Sequence, residues 1–359
     1  MSLDVESRIR NINSRIGWRI TRNILGKECG ITAQGLSPFI ERMLSQTATD
    51  QSLEKKIDDF WRGLIFSGTR LLKIFPLTSS EMSKVQASLL AQSPDSSLFN
   101  HAYPAPLSTH ELHSADMELH FAEVSDTLYG ETQLISSVIL SKAYYTEIIE
   151  LDGSHLSDAG MQLKAEGGEI KCKRREITQC FHNILLIPSK NILIMSVDLS
   201  SLPRGESAPQ QVLLEAFIRN IAKIRLSRPL DLFPAIASMY DSVDGRISAM
   251  TFLTGDGNGS SLKLKPSQQC LKRDSYHKGG VSAGSVLTKF RLGKTWDVTI
   301  GGTNHSASIE LTLPGKRAML DDPKKHLFEA IITDCPTLSC VLFAIERLMD
   351  SLPAISTEE

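Results

Sequence analysis

The most pronounced chemical feature of the sequence is a local excess of positive charge between residues 262 and 294. Eight basic residues fall in this stretch against one acid, Asp274, although the whole chain has a formal net charge of −2. Cationic side chains neutralise phosphates and aromatic rings stack on bases, so this mixture on strands and loops indicates binding to a polyanion. An ordinary solvated surface is the alternative interpretation. The residues predicted to make the contact are Lys263, Lys265, Lys272, Arg273, Tyr276, His277, Lys278, Lys289 and Arg291.

A second basic feature lies near the start of the chain. Arg8, Arg15, Arg19 and Arg22 recur at helical spacing beside a stripe of isoleucines, which places them on one face of an amphipathic helix. A basic helix face can contact a phosphate backbone, an acidic partner or a membrane surface, or it can simply be solvated. We add Arg15 and Arg19 to the predicted binding residues.

Three residues suggest a different chemistry. Asp152 follows a strand-like segment, and Glu169-Ile170-Lys171 falls in the next one. An acid followed by E-x-K on a neighbouring strand resembles the PD-(D/E)xK nucleases, although no proline precedes Asp152. The resemblance implies that Asp152 and Glu169 hold Mg²⁺ or Mn²⁺ and that Lys171 polarises the attacking water. Solvated charges at a strand edge are the alternative interpretation.

The remaining motifs do not predict a catalytic or metal site. Residues 280–284 match G-x-S-x-G, but they lack the strand before the serine and the helix after it that expose a nucleophile, so we interpret them as a flexible loop. The six cysteines include no Cys-x-x-Cys pair, the spacing that is typical of structural zinc sites. No cofactor is therefore expected, apart from the metal of the nuclease alternative.

Composition limits the class of protein. With 41% apolar and 22% charged residues, the chain has the composition of a globular protein. Its first residues lack the apolar run of a secretory signal, and its most apolar helical stretch, around residues 53–75, carries eight charged residues. The sequence predicts a cytoplasmic protein that does not enter a membrane.

The periodicity of apolar residues predicts an α+β fold with a helical N-terminal domain, residues 1–92. Ser2 is placed to cap a first helix, a second helix runs from Leu53 through Leu72 to Pro76, and Thr78 with Glu81 forms a capping box for a third. The segment 93–116 is rich in Ser, Pro and His, which predicts a linker.

Residues 117–359 are predicted to form a mainly antiparallel sheet domain with packed helices. Residues 132–151 fit a helix or a strand, 183–187 and 191–197 form a hairpin, and Ser207 opens a helix. An antiparallel meander spans 246–313, with turns at 255–259, 293–294 and 301–302. Two C-terminal helices follow, one over 323–333 and one opened by Pro336, and the tail after Pro353 is expected to fray.

Taken together, these patterns favour a non-enzymatic protein that binds nucleic acid, or another acidic partner such as an acidic protein surface, through residues 262–294. The first alternative is a metal-dependent nuclease that uses Asp152, Glu169 and Lys171. The second alternative is a protein-interaction subunit of a larger intracellular assembly, which residue types alone do not separate from the preferred interpretation.

Overall fold

A computed structural model describes residues 4–265, 269–282, 287–300 and 305–353 of the chain. In this part, ten strands form one antiparallel sheet, in the order β2-β3-β4-β5-β1-β10-β9-β8-β6-β7. The strands are β1 (Gly68–Pro76), β2 (His120–Tyr129), β3 (Thr132–Glu150), β4 (Lys171–Ile187), β5 (Ile192–Asp198), β6 (Arg246–Leu253), β7 (Gly259–Lys263), β8 (Thr288–Thr299), β9 (Ser306–Leu313) and β10 (Ala330–Cys335). The α+β fold is thereby confirmed.

Helices pack on both faces of this sheet. They are α1 (Val5–Thr21), α2 (Leu36–Thr47), α3 (Gln51–Ile65), α4 (Ser79–Leu90), α5 (Leu98–Ala102), α6 (Thr109–Ser114), α7 (Asp158–Ala165), α8 (Ala208–Ala222), α9 (Phe233–Asp241), α10 (Ser275–Ser282) and α11 (Leu338–Asp350). Within the described residues, no helix combines the length and the apolar character needed to cross a bilayer.

Two cores of apolar side chains identify the faces. Leu72 and Ile332 pack into the core that contains α1, α3, α9 and α11, and we call this side the α9 face. Leu71 packs on the opposite side with Leu214 and Ile218 of α8, and we call this side the α8 face. Because side chains alternate along a strand, each strand residue is assigned to one face.

Several local predictions are confirmed. Thr78 and Glu81 form the capping box of α4, and α8 begins directly after Ser207. The predicted hairpin corresponds to the paired ends of β4 and β5, and the ambiguous stretch 132–151 is the long strand β3. Asp4 caps α1, since its carboxylate accepts the Ser7 N–H at 2.7 Å, whereas Ser2 lies outside the described residues.

The predicted helix from Leu53 to Pro76 is wrong beyond Ile65. The chain turns at Gly68, whose φ of +84° and close approach to the Ser200 hydroxyl both require glycine. From there the run Thr69–Pro76 is the strand β1, which pairs with β5 and β10. A strand covered on both faces shows an unbroken apolar run, and a helix core shows the same run, so periodicity alone cannot separate them.

The segment 93–116, predicted as a linker, contains α5 and α6. Phe99, Leu107 and Leu112 in this segment are buried in the α9-face core. The division of the chain at 1–92, 93–116 and 117–359 stays a prediction, but the structure places β1, from the first of these ranges, between two strands of the last.

Two predictions in the meander and beyond it are also wrong. The expected turn at Gly293-Lys294 is the middle of the continuous strand β8, where these residues pair with Thr312 and Leu311 of β9. The expected helix over 323–333 gives way to β10, which fills the space between β1 and β9 with Ala330 and Ile332 buried. The second C-terminal helix is confirmed as α11, capped by Thr337. The predicted turn at 301–302 and the tail after Pro353 lie outside the described residues.

Candidate nucleic-acid interface

The bases of residues 262–294 are divided between the two faces of the sheet. Leu292 and Trp296 of β8 belong to the α9-face core, so Arg291, which directly precedes Leu292, points to the α8 face. A β-bulge between the pairs Thr251–Arg291 and Phe252–Lys289 turns Lys289 back toward α9. The predicted patch is therefore two surfaces.

The α9-face surface is organised by Tyr240, near the end of α9. The Lys272 ammonium lies 4.6 Å and the Lys289 ammonium 4.1 Å from the centre of the Tyr240 ring. The Tyr240 hydroxyl is 2.8 Å from Nε2 of His277, which is buried. A phenol ring attracts a cation over its face, so both lysines are held near the ring, and neither forms an ion pair with a carboxylate among the described residues.

Asp274, the one acid in the stretch, is engaged in capping. Its carboxylate accepts the His277 N–H at 3.1 Å and its carbonyl accepts the Lys278 N–H, so it closes the first turn of α10. The cap keeps the carboxylate turned toward backbone rather than toward the neighbouring bases.

Three further side chains face solvent beside this group. Arg273 and Lys278 are exposed, and Arg273 donates to the side chain of Gln269. Tyr276, in the first turn of α10, is 70% exposed, so its ring is open to solvent. We define the Tyr240 surface as Lys272, Arg273, Tyr276, Lys278 and Lys289 around Tyr240.

The pKa of His277 reflects the electrostatics of the Tyr240 surface. Burial lowers it below its usual value, and the positive charges of Lys289 and Lys272 lower it further against the opposing effect of Asp274. His277 is therefore neutral near pH 7, and its role here is to bond Tyr240 rather than to reach a ligand.

The α8-face surface contains Lys263 and Arg291. In the sheet Arg291 pairs with Thr251, which pairs with Ser261, and Lys263 follows Ser261 by two residues on the same face. Both basic side chains are exposed, and Lys265 is exposed just after β7 ends. These three residues are separated by the sheet from the Tyr240 surface.

The remaining basic and aromatic side chains of β8 are buried. Lys294 is 1% exposed and donates to the Met239 carbonyl at 2.9 Å and to the Asp244 carboxylate at 2.8 Å. Phe290 and Trp296 are buried as well, and the Trp296 indole N–H donates to Asp244 at 2.8 Å. These residues stabilise the packing of α9 on β8.

The two helix arginines are not part of either surface. Arg15 is buried and forms an ion pair with Asp198 of β5 at 3.0 Å, which removes it from contact with any ligand. Arg19 is exposed but its guanidinium bonds the Asp334 carboxylate at 2.8 Å. The structure thus corrects the assignment of Arg15, because a buried partner satisfies its charge.

The residues of the nuclease alternative lie at the far end of a two-stranded arm, formed by the outer halves of β3 and β4. Asp152 accepts from the Ser154 N–H at 2.9 Å and contacts Nδ1 of His155 at 2.8 Å. These bonds to Ser154 and His155 lower the pKa of Asp152 to about 2. Glu169 is paired with Lys171 at 2.5 Å, and all three predicted side chains are more than half exposed.

No group of three or more potential metal-ligating side chains occurs among the residues described here. Asp152 and Glu169 would offer two carboxylates for Mg²⁺ or Mn²⁺, but Glu169 is neutralised by the lysine that the nuclease mechanism needs next to water. The assignment stays a prediction.

Sequence reasoning missed two features. Tyr240 lies in an apolar helix, and nothing in its local sequence indicates that lysines from two distant segments meet it. The run from 219 to 228 carries Arg219, Lys223, Arg225 and Arg228 without an acid, and a charge count over that window would have identified it.

No protein-family model matches this chain, and no curated protein matches it. Its function is therefore argued from the geometry of these surfaces.

Proposed function

We propose that this protein is a non-enzymatic binding protein that engages single-stranded nucleic acid through the Tyr240 surface. The observation that carries the proposal is the grouping of unpaired cations with an exposed ring. Lys272 and Lys289 are held against Tyr240 without a carboxylate partner in the described part of the chain, and Tyr276, which adjoins His277 in α10, is exposed.

The chemistry of this surface matches the two contacts that single strands offer. Lysine and arginine side chains release counterions from phosphates, which provides affinity without sequence preference. An exposed tyrosine ring stacks only on an unpaired base, because duplex bases are already stacked on each other. An aromatic ring between basic side chains thus supports a single strand over a duplex.

A cytoplasmic location is part of the proposal. All six cysteines are free thiols, and disulfides are typical of oxidising compartments.

The decisive experiment measures binding of a labelled oligonucleotide by fluorescence anisotropy over a range of salt concentrations. The variant is Lys272→Glu/Arg273→Glu/Lys278→Glu. The matched control, Lys27→Glu/Lys84→Glu/Lys190→Glu, makes the same change in net charge at exposed lysines elsewhere. We expect the variant to weaken binding by at least about 10-fold and to reduce the slope of log Kd against log salt by about 2, while the control binds like the wild type.

Other results would replace the proposal. Equal binding by the variant and the wild type would exclude the Tyr240 surface as the contact. Capture of an acidic protein without affinity for nucleic acid would favour the acidic-partner or assembly-subunit alternatives. Cleavage that requires Mg²⁺ or Mn²⁺ and is abolished by Asp152→Ala would favour the nuclease.

A further inference from the structure

A second concentration of positive charge borders a cleft where α8 ends. The cleft has a volume of about 580 Å³ and is lined by Phe75 of β1, by Arg219 in the last turn of α8 and by the loop 224–229. This loop contributes Arg225, Ser227 and Arg228, and the helix stops at Lys223, which has a left-handed φ of 50°. We call this the α8 cleft.

Positive charge exceeds negative charge in this cleft. Glu215 is shared by Lys73 and Arg219, each at 3.3 Å, so one carboxylate serves two cations. Arg225 and Arg228 have no acidic partner among the described residues. Arg219 suits the negative end of the helix dipole and needs no ligand to explain it, whereas the two arginines beyond the helix have no such role.

The loop is attached to the sheet at two points, and a ring supports the side chain of Arg228. The Leu230 N–H donates to the Ile74 carbonyl at 2.7 Å and the Ser227 hydroxyl donates to the Pro76 carbonyl at 2.8 Å, which fastens the loop to β1. The Arg228 guanidinium lies 4.5 Å from the centre of the Phe328 ring. Stacking on a ring leaves the N–H groups at the edge of the guanidinium free to bond a ligand.

We propose that the α8 cleft binds a phosphoryl group through Arg225 and Arg228. The planar guanidinium donates two parallel hydrogen bonds to phosphate oxygens. Two guanidinium groups at one cleft also match the two negative charges of a phosphate dianion. The apolar side of Phe75 and Pro229 leaves room for the organic part of a phosphate ester. The phosphoryl group belongs either to a free phosphate ester or to a nucleic-acid backbone.

This cleft is independent of the Tyr240 surface. It lies where α8 packs, on the opposite face of the sheet from α9, and shares no residue with the Tyr240 surface. Failure of either proposal therefore leaves the other intact.

The test is titration calorimetry of the full chain with inorganic pyrophosphate at low ionic strength, with sulfate at the same concentrations as a reference. The variant is Arg225→Gln/Arg228→Gln, and the control is Arg22→Gln/Arg317→Gln, which removes two exposed arginines elsewhere. We expect saturable pyrophosphate binding by the wild type and the control, and a Kd at least about 10-fold weaker for the variant. Arg228→Lys keeps the charge but loses the fork, so it should also weaken binding.

The outcomes separate the sources of the phosphoryl group. If pyrophosphate competes with an oligonucleotide that still binds the Tyr240 triple variant, the cleft takes a nucleic-acid phosphate. If pyrophosphate binds without such competition, the ligand is a free phosphate ester. Pyrophosphate binding that matches sulfate, or that survives in Arg225→Gln/Arg228→Gln, would overturn the proposal. Unchanged thermal unfolding of the variants without ligand would show that they are folded.

Discussion

Two groups of basic side chains in this molecule are built from the same residue types and serve opposite purposes. In the interior, Arg15 and Arg70 surround Asp198, and all three are buried. At the surface, Lys272 and Lys289 both lie against a tyrosine ring, and no carboxylate of the described residues forms an ion pair with either of them. The interior group joins parts of the fold, while the surface group leaves its charge available to a ligand.

The interior group is bonded around one carboxylate, and Nε of Arg15 is the one guanidinium nitrogen of that residue without a hydrogen-bond partner among the described residues. Arg15 donates to both oxygens of Asp198, each at 3.0 Å, and its guanidinium also lies 5.4 Å from the Phe181 ring. The Phe181 N–H donates to Asp198 at 3.0 Å, and Arg70 donates to the carbonyls of Phe181, Ile65 and Ser67. Burial alone would raise the pKa of Asp198, but Arg15, Arg70 and the backbone bond lower it to about 2.

The comparison shows that an aromatic ring near a cation does not identify a binding surface. Arg15 also lies over aromatic rings, yet its charge is satisfied inside the protein. What distinguishes the Tyr240 surface is that Asp274, the one acid between residues 262 and 294, is occupied as a helix cap. The following predictions test this distinction, from the largest effect to the smallest.

Removal of the buried carboxylate should have the largest effect. Asp198→Ala leaves Arg15 and Arg70 as uncompensated buried cations, and we expect it to lower the free energy of unfolding by about 3–5 kcal/mol. Urea denaturation monitored by circular dichroism measures this change. A loss below about 1 kcal/mol would show that water reaches the arginines and that the cluster is not sealed.

The neighbouring His182 should make stability depend on pH. Burial lowers the pKa of His182 to about 4 from 6.5, despite Asp198 and Gln210, so the folded protein holds it neutral. The unfolded chain takes up the proton first, and stability falls as the pH drops from about 6.5 toward 4, by on the order of 3 kcal/mol in total.

The measurement compares the wild type with His182→Gln at pH 7 and at pH 5. We expect the wild type to lose about 2 kcal/mol more than the variant across this interval, since about 1.5 of the 2.5 pH units are covered. Equal losses would mean that His182 does not govern the response. His120 acts in the opposite direction, because its pKa is raised and the folded protein therefore takes up its proton first.

Two lysines on β8 test the same distinction between interior and surface cations. Lys294→Met removes a buried donor from the Met239 carbonyl and from Asp244, and we expect a loss of about 1.5 kcal/mol. Lys289→Met, five residues earlier on β8, removes a half-buried charge held over the Tyr240 ring and should change stability by less than about 1 kcal/mol. Thermal or urea unfolding of both variants measures the difference, and similar losses would contradict the division of β8 into interior and surface lysines.

The smallest change in stability is expected at the Tyr240 surface. Arg273→Glu and Lys278→Glu should each shift the free energy of unfolding by no more than about 0.5 kcal/mol, because both side chains are exposed. Lys272→Glu also removes a cation from the Tyr240 ring, and its shift should stay below about 1 kcal/mol. A large loss of stability in urea denaturation would mean that these residues support the fold. The binding defect of the triple variant would then be explained by unfolding rather than by a lost contact.

The sequence predicts local features of this fold and fails where partners are distant. Neighbouring residues are enough to predict three features: the cap at Thr78, the strand alternation in β6 and β9, and the excess of basic residues at 262–294. The role of Arg15 depends on Asp198, which lies far along the chain, so helical spacing predicted its face but not its burial. Tyr240 was missed for the same reason, since its lysines come from two other segments.

The α8 cleft could not be predicted from the sequence for a different reason. In the sequence its arginines belong to a stretch of basic residues that contains no acid. Their position at one cleft depends on the turn at Lys223 and on the hydrogen bonds that attach the loop to β1. A lysine in the left-handed region is uncommon, and no propensity rule would have placed the turn there.

The position of β1 has a consequence for how the chain folds during synthesis. Leu71 of β1 pairs with Val197 of β5 on one side and with Ile331 of β10 on the other. A strand that emerges early from the ribosome therefore keeps at least one bare edge until residues 330–335 have been made. Pairings over such separations slow folding, and an apolar strand with an open edge is a template for aggregation. The nascent chain is thus most vulnerable during translation of the segment between β1 and β10, and a chaperone that covers strand edges would act in that interval.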